Sequence, residues 1–163
     1  MIRPATPADV PAIARLIRDL AEYERLAHAV VLDEARLRDH LFGPRPYCEV
    51  LLAEDVGDVV GFALFFHNYS TFLARPGIYL EDLFVKPELR GRGHGKALLR
   101  ALAELAVERG CGRLEWAVLN WNEPAINFYN TLGAKPMTEW TVYRLTGDEL
   151  REMAPATGPA GGP

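Results

Sequence analysis

The stretch from Val85 to Lys96 constrains the fold more than any other part of the sequence. An apolar segment ends at Val85, glycines follow at 91, 93 and 95, and an amphipathic helix is predicted from Gly95 to Arg109. Glycines let the backbone turn its N–H groups toward a ligand, and the first turn of a helix carries partial positive charge. A strand, a glycine-rich loop and a helix in this order are typical of an α/β protein that binds phosphate or pyrophosphate.

Two common nucleotide-binding patterns do not fit this loop. The Walker pattern requires Ser or Thr after the lysine, and here Lys96 is followed by Ala97. The dinucleotide pattern GxGxxG lacks its third glycine, because Leu98 stands there. The basic residues Arg90 and Arg92 favour an anionic ligand, and the alternative is a flexible loop without one.

The rest of the chain predicts a mixed sheet with helices. Thr6 is a candidate N-cap for a first helix, with Pro7 in the first helical position and Asp9 as the acidic partner. Gly57-Asp58 indicates a tight turn. Further predictions are a helix from Asp33 to Gly43, strands over 49–53, 59–66, 78–85, 113–119 and 137–145, a loop over 69–77 and a short helix over 124–132. Neighbouring strands joined by short turns argue against a pure βαβ repeat.

Composition narrows the class of protein. The chain has 163 residues and a formal net charge of −4, so we expect one domain over 1–154 and no nucleic-acid partner. No apolar run approaches the roughly 20 residues that a membrane span needs, and we expect neither a membrane partner nor a signal peptide. Cys48 and Cys111 are isolated, which favours reduced thiols in the cytoplasm. The four histidines share no metal-ligand spacing, so no metal is predicted, and the Pro/Gly-rich tail 155–163 is expected to be disordered.

Four segments carry a resemblance to a known family. The residues Arg90-Gly91-Arg92-Gly93-His94-Gly95 resemble the R/Q-x-x-G-x-G/A motif of the GNAT N-acetyltransferases, whose loop holds the pyrophosphate of coenzyme A. The segments 2–6 with 20–24, 79–85 and 121–129 are similar to the diamine (spermidine/spermine) N-acetyltransferase branch, a close relative of which acetylates thialysine. The resemblance covers residues 1–154. It implies a mixed, mostly antiparallel sheet flanked by helices, acetyl-CoA as co-substrate, a small-molecule amine substrate and a homodimer.

The resemblance also implies two catalytic residues. Glu81 corresponds to the family's base, and a carboxylate on an otherwise apolar strand can have a raised pKa, which suits removal of a proton from an ammonium group. Tyr129 corresponds to the family's catalytic tyrosine, whose phenol can protonate the leaving thiolate. The alternatives are that Glu81 and Asp82 are merely solvated or hydrogen-bonded strand positions, and that Tyr129 is a core aromatic residue.

Binding residues follow from the same matches. The cofactor-binding residues implied by the resemblance are Leu83, Phe84, Val85, Arg90, Gly91, Arg92, Gly93, His94, Gly95, Lys96, Asn122, Glu123, Pro124 and Ala125. Tyr23 and Glu24 match positions that contact the polyamine, and Glu81 and Glu115 complete the predicted substrate-binding set. Thr141 stands near where the polyamine enzymes carry a glutamate, and this departure leaves room for a lysine-like amine. His94 is expected near phosphate without a chemical role.

The sequence is compatible with three functions. The first is acetyl transfer to a small amine, the second is acetylation of a protein or peptide on the same fold, and the third is a non-catalytic sensor that binds acyl-CoA. The presence of both Glu81 and Tyr129 argues against the third. The motifs do not identify the amine.

Overall fold

A mixed sheet of five strands dominates the computed structural model, which describes residues 1–154. The strands are β1 (Ile2–Pro4), β2 (Glu49–Asp55), β3 (Asp58–Ser70), β4 (Arg75–Val85) and β5 (Leu114–Trp116), and they lie in this order across the sheet. The helices are α1 (Val10–Tyr23), α2 (Glu34–Phe42), α3 (His94–Glu108), α4 (Glu123–Thr131) and α5 (Gly147–Met153). All neighbouring strands are antiparallel except β4 and β5, which are parallel. The mixed, mostly antiparallel architecture is therefore confirmed.

The chain divides into two compact units. Residues 1–117 contain the whole sheet together with α1, α2 and α3. The described part of the second unit, residues 118–154, contains α4 and α5.

The start of α1 follows the predicted N-cap. The Asp9 carboxylate accepts hydrogen bonds from the Thr6 backbone N–H at 2.7 Å and the Thr6 hydroxyl at 2.8 Å. A single 3₁₀ turn over Pro7–Asp9 then leads into the helix. Arg3 also donates to Asp9 at 2.8 Å, and this charged partner holds the pKa of Asp9 well below its usual range.

The end of α1 is a Schellman motif built without glycine. Arg25 adopts a positive φ of 62°, and its N–H donates to the Glu22 carbonyl at 3.0 Å. The Leu26 N–H donates to the Ala21 carbonyl at 2.8 Å. This pattern terminates the helix and fixes the direction of the chain just after Tyr23 and Glu24.

Helices cover both faces of the sheet in the first unit. Apolar side chains of α1 and α2 pack with one face of β2, β3 and β4 in a single buried cluster, whose members are Val10, Ile13, Ala14, Leu16, Leu20, Leu37, Leu41, Val50, Leu52, Phe62, Leu64 and Phe84. The opposite face carries Phe65, Ile78 and Leu80, each nearly inaccessible to solvent. Helix α3 contributes buried Leu98 and Leu102 outside that cluster and contacts the same strands.

Several predicted boundaries were wrong. Residues 69–77 do not form a loop: β3 and β4 extend through Tyr69 and Pro76, which are paired, and leave only the turn 71–74. The strand predicted over 113–119 is limited to Leu114–Trp116.

The strand predicted over 137–145 is absent from the described structure. The Trp140 N–H donates to the Met137 carbonyl at 3.2 Å, so the segment begins with a turn. The sheet has five strands in the described residues, and this segment adds no sixth. The helix α5, which was not predicted, follows this segment.

No helix in residues 1–154 is both long enough and apolar enough to span a membrane. The tail 155–163, predicted to be disordered, lies outside the described residues.

Candidate active site

A β-bulge in β4 falls at Glu81. Along the β3–β4 ladder, Leu64 pairs with Asp82 and the next residue, Phe65, pairs with Leu80, so Glu81 has no partner on β3. Bulges re-aim side chains and often occur beside active sites. Glu81 is exposed here, so the apolar surroundings expected from its neighbours do not enclose it.

The bulge sends Leu80 and Asp82 to opposite faces of the sheet. Paired residues of an antiparallel ladder share a face, so Leu80 lies with Phe65 and Asp82 lies with Leu64. In a regular strand that kept residue 81 in the ladder, positions 80 and 82 would share one face, because side chains alternate along a strand. The bulge thus keeps Leu80 in the core and turns Asp82 toward the face that α1 and α2 cover.

Asp82 is the carboxyl group with the most altered acidity in this region. Burial is the main cause that raises its pKa to about 6, and the negative charges of Glu81 and Glu24 contribute to the same rise. Burial also raises the pKa of Glu24, which follows the last residue of α1. Asp82 therefore lies within electrostatic range of Glu81 and Glu24, and it changes protonation state near pH 6.

The glycine loop connects β4 to α3. A 3₁₀ turn over Pro87–Leu89 follows β4, and Gly91 and Gly93 then adopt positive φ angles of 78° and 87°. A Cβ atom built on either glycine would meet no atom within 4 Å, so open space lies beside this backbone. Gly93 is the N-cap of α3, whose first N–H groups have no acceptor within the helix. This geometry fits a phosphate group at the N-terminus of α3.

The basic side chains of the loop have different partners. Arg92 lies 3.6 Å from an Asp55 carboxylate oxygen, and the His94 Nε2 atom lies 3.5 Å from the same oxygen. Asp55 ends β2, so the adjoining hairpin supplies a negative charge to the loop that sequence reasoning missed. The Arg90 Nε–H instead donates to the Val85 carbonyl at 3.0 Å.

Arg90 also reaches the end of α1. Its guanidinium carbon lies 4.2 Å from the centre of the Tyr23 ring and 5.6 Å from the centre of the Phe84 ring. The predicted cofactor residue Arg90 and the predicted substrate residue Tyr23 are therefore neighbours. Phe84 is buried beneath them, while Leu83 is half-buried and Lys96 is exposed at the start of α3.

Glu115 is engaged by other side chains. One of its carboxylate oxygens accepts a hydrogen bond from the Asn68 amide at 2.9 Å and lies 2.8 Å from Arg113 Nε. Arg113 thus balances the charge of Glu115, a residue of the predicted substrate-binding set. The structure brings together Tyr23, Glu24 and the β4 carboxylates, and it gives Glu115 a structural ion pair.

The second unit carries the remaining predicted residues on α4. The buried Asn122 side chain is the N-cap and accepts a hydrogen bond from the Ala125 N–H at 3.4 Å. Glu123 and Pro124 occupy the exposed first turn. Tyr129 lies half-buried on this helix, with its ring centre 5.5 Å from that of Phe128.

The described residues 1–154 contain no group of three or more His, Cys, Asp or Glu side chains arranged to hold a metal ion.

Comparison with known proteins identifies the family. A thialysine N-epsilon-acetyltransferase of Bos taurus is 43% identical, over 94% of this chain and 96% of that protein. An L-ornithine N5-acetyltransferase of Arabidopsis thaliana is 39% identical, over 93% of this chain and 86% of that protein. Among solved structures, an integron cassette protein of V. cholerae superposes with a TM-score of 0.80 at 26% identity, covering 94% of this chain and 96% of that chain. The sequence profile of the acetyltransferase (GNAT) family matches residues 12–134. The chain belongs to the GNAT family and is an N-acetyltransferase.

Proposed function

We propose that this enzyme transfers the acetyl group of acetyl-CoA to a primary amine of a small molecule, either a diamine or a lysine-like amine. Relatives named as thialysine and ornithine acetyltransferases support a small-molecule acceptor. The observation that carries the proposal is the group of mutually interacting carboxylates beside the glycine loop, formed by Glu24, Glu81 and Asp82. Such a group attracts an alkylammonium ion by charge.

The carboxylates suit both binding and deprotonation of an amine. An alkylammonium substrate must lose a proton before its nitrogen can attack a thioester. Glu81, exposed on the bulge, is our proposed base, acting directly or through a water. Asp82, with its pKa near 6, holds a negative charge at neutral pH that attracts the ammonium and can also accept a proton. We propose Tyr129 as the acid that gives a proton to the departing thiolate.

The proposed coenzyme A site in the first unit comprises the end of β4 and the start of α3. Backbone N–H groups at 91–96 bind the pyrophosphate, and Leu83, Phe84 and Val85 hold the pantetheine arm and the thioester carbonyl through their backbone. The family resemblance also assigns Asn122, Glu123, Pro124 and Ala125 of the second unit to cofactor binding. The co-substrate supplies the activated acetyl group, and these residues hold it in place.

Two glycines with the same backbone geometry allow a controlled test of coenzyme A binding by the glycine loop. Gly57, in the turn between β2 and β3, has the same φ of 87° as Gly93 and the same open space beside it. A valine at either position therefore introduces a similar strain, on the order of 1–3 kcal/mol. We expect Gly93→Val to abolish coenzyme A binding in calorimetry and Gly57→Val to preserve it. Equal binding by the two variants would contradict the proposed loop site.

An amine panel distinguishes the acceptor classes. Purified enzyme with acetyl-CoA would be offered spermidine, thialysine, ornithine, lysine and a peptide with a free N-terminus, and thiol release and product mass would be recorded. We expect turnover of small amines and none of the peptide. Turnover of the peptide alone would favour the alternative, a protein or peptide N-acetyltransferase.

The pH dependence tests the assignment of the base. We expect Glu81→Gln to lose activity at pH 7 and to recover part of it above pH 9, because more of the amine is then neutral without help. A defect of equal size at every pH would assign Glu81 to substrate binding.

We also propose a cytoplasmic homodimer. Isolated thiols at Cys48 and Cys111 suit a reducing compartment. The exposed apolar residues Trp140, Val142 and Tyr143 support a second copy as the partner that covers them. Light scattering at micromolar concentration should give twice the mass of one chain, and the mass of one chain would refute the dimer.

A further inference from the structure

Arg90 folds back from the glycine loop onto the body of the first unit. It lies between the 3₁₀ turn over Pro87–Leu89 and Gly91, so it begins the glycine-rich part of the loop. Its Nε–H bonds the Val85 carbonyl at 3.0 Å, and its guanidinium carbon lies 4.2 Å above the centre of the Tyr23 ring. One side chain thus connects the loop to the end of β4 and to the end of α1.

We infer that Tyr23 is a positioning residue for coenzyme A, because its ring holds Arg90 and thereby sets the conformation of the glycine loop. This inference rests on the proposed cofactor site and assigns Tyr23 a role beyond amine binding. A planar guanidinium can stack on an aromatic face while an edge N–H donates a hydrogen bond, and both contacts are present. Lysine cannot satisfy both in the same way.

The surroundings of the ring make it a fixed support. Tyr23 is the last residue of α1, and the Schellman motif at Arg25 ends the helix immediately beyond it. The helix is anchored in the core through Leu16 and Leu20. Phe84 of β4 contacts the same guanidinium, whose carbon lies 5.6 Å from the centre of the Phe84 ring. The loop is therefore attached at Arg90 to two aromatic residues that belong to rigid elements.

The expected contribution is modest because Arg90 is largely exposed. A cation–π contact at an exposed site corresponds to about a two- to fivefold change in a dissociation constant. Tyr23 is expected to act on cofactor binding through Arg90, so its effect should vanish when Arg90 is absent. It should also appear when no amine is present, which separates it from any contact with the acceptor.

The experiment is a double-mutant cycle on the affinity for coenzyme A, measured by calorimetry without amine. We expect Tyr23→Leu to raise the Kd about two- to fivefold and Tyr23→Phe to stay close to wild type, because phenylalanine keeps the ring face. Arg90→Gln should weaken binding, and adding Tyr23→Leu to it should have no further effect. Tyr47→Leu is the matched control, since the mostly exposed Tyr47 makes an edge-to-face contact with His40, with ring centres 4.9 Å apart; it should leave the Kd unchanged.

Two results would overturn the inference. One is an equal effect of Tyr23→Leu with and without Arg90, and the other is a Tyr23→Phe variant as weak as Tyr23→Leu. Thermal unfolding of each variant identifies any variant that fails to fold. If Tyr23→Leu fails to fold, Tyr23→Phe still tests the inference. Absence of coenzyme A binding by the wild-type protein would instead refute the proposed cofactor site itself.

Discussion

The two compact units differ sharply in how they bury apolar side chains. In residues 1–117 both faces of the sheet are covered by helices, and every buried hydrophobic residue of the described chain belongs to this unit. In residues 118–154 the one buried residue is the polar Asn122, while Met137, Trp140, Val142 and Tyr143 are all more than half exposed. Stability therefore resides in the first unit, and the second contributes side chains such as Tyr129 to the proposed chemistry.

The difference also shows how far an alternating pattern of apolar residues determines secondary structure. Residues 137–145 alternate as a strand does, yet they form none in the described structure. A strand needs a neighbour to satisfy its backbone groups and to pack its side chains, and its residue preferences depend strongly on that context. A second copy of the chain could supply the neighbouring strand that this segment lacks, which is consistent with the proposed dimer.

The largest expected effect tests whether the second unit acts in chemistry. Tyr129→Phe removes one oxygen and should lower kcat by about 10²–10⁴-fold, because general acid catalysis is typically worth that much. The affinity for coenzyme A and the unfolding temperature should remain at wild-type values. Stopped-flow thiol detection and calorimetry measure the two quantities. A wild-type kcat would show that Tyr129 is a packing residue. The second unit would then contribute no catalytic side chain through Tyr129.

A pair of aromatic substitutions tests where stability resides. Phe62, on β3, is inaccessible to solvent, and Phe62→Ala should lower the free energy of unfolding by about 3–5 kcal/mol. Trp140 is 73% exposed, and Trp140→Ala should change it by no more than about 0.5 kcal/mol. Urea denaturation at a protein concentration below the dimer dissociation constant gives both values. Comparable losses would mean that the second unit has a core of its own.

Asp82→Asn should change the free energy of unfolding by less than Phe62→Ala does, and it should stabilise the protein. The folded-state pKa of Asp82 is raised from 3.8 to about 6, so its ionisation costs the folded state about 2–3 kcal/mol once the pH exceeds 6. The variant should therefore gain up to that amount over wild type at pH 7.5, and the gain should fade as the pH is lowered from 6 to 4. Its activity should fall. Denaturation curves across this pH range check the sign, and a variant less stable than wild type at pH 7.5 would contradict the assigned cost of burial.

Much of the first unit could be predicted from sequence, for local reasons. Thr6 and Asp9 marked the start of α1, and the glycines at 91 and 93 marked the loop, because both features depend on residues close in the chain. The ion pairs of Glu115 and the contact of Asp55 with the loop could not be predicted, since they join residues far apart in sequence. The bulge was also missed, because two acidic residues in succession do not reveal which of them is extra.

The bulge at Glu81 determines which sequence changes β4 can accept. Replacing Glu81 leaves the backbone pairing intact, so substitutions there should affect activity more than folding. Deleting it would give a regular ladder in which Leu64 still pairs with Asp82 and Phe65 with Leu80, so Leu80 and Asp82 would keep their faces. The extra residue is therefore not needed to place the core side chains, and its loss should reduce activity, through the loss of the Glu81 carboxylate, more than it reduces stability.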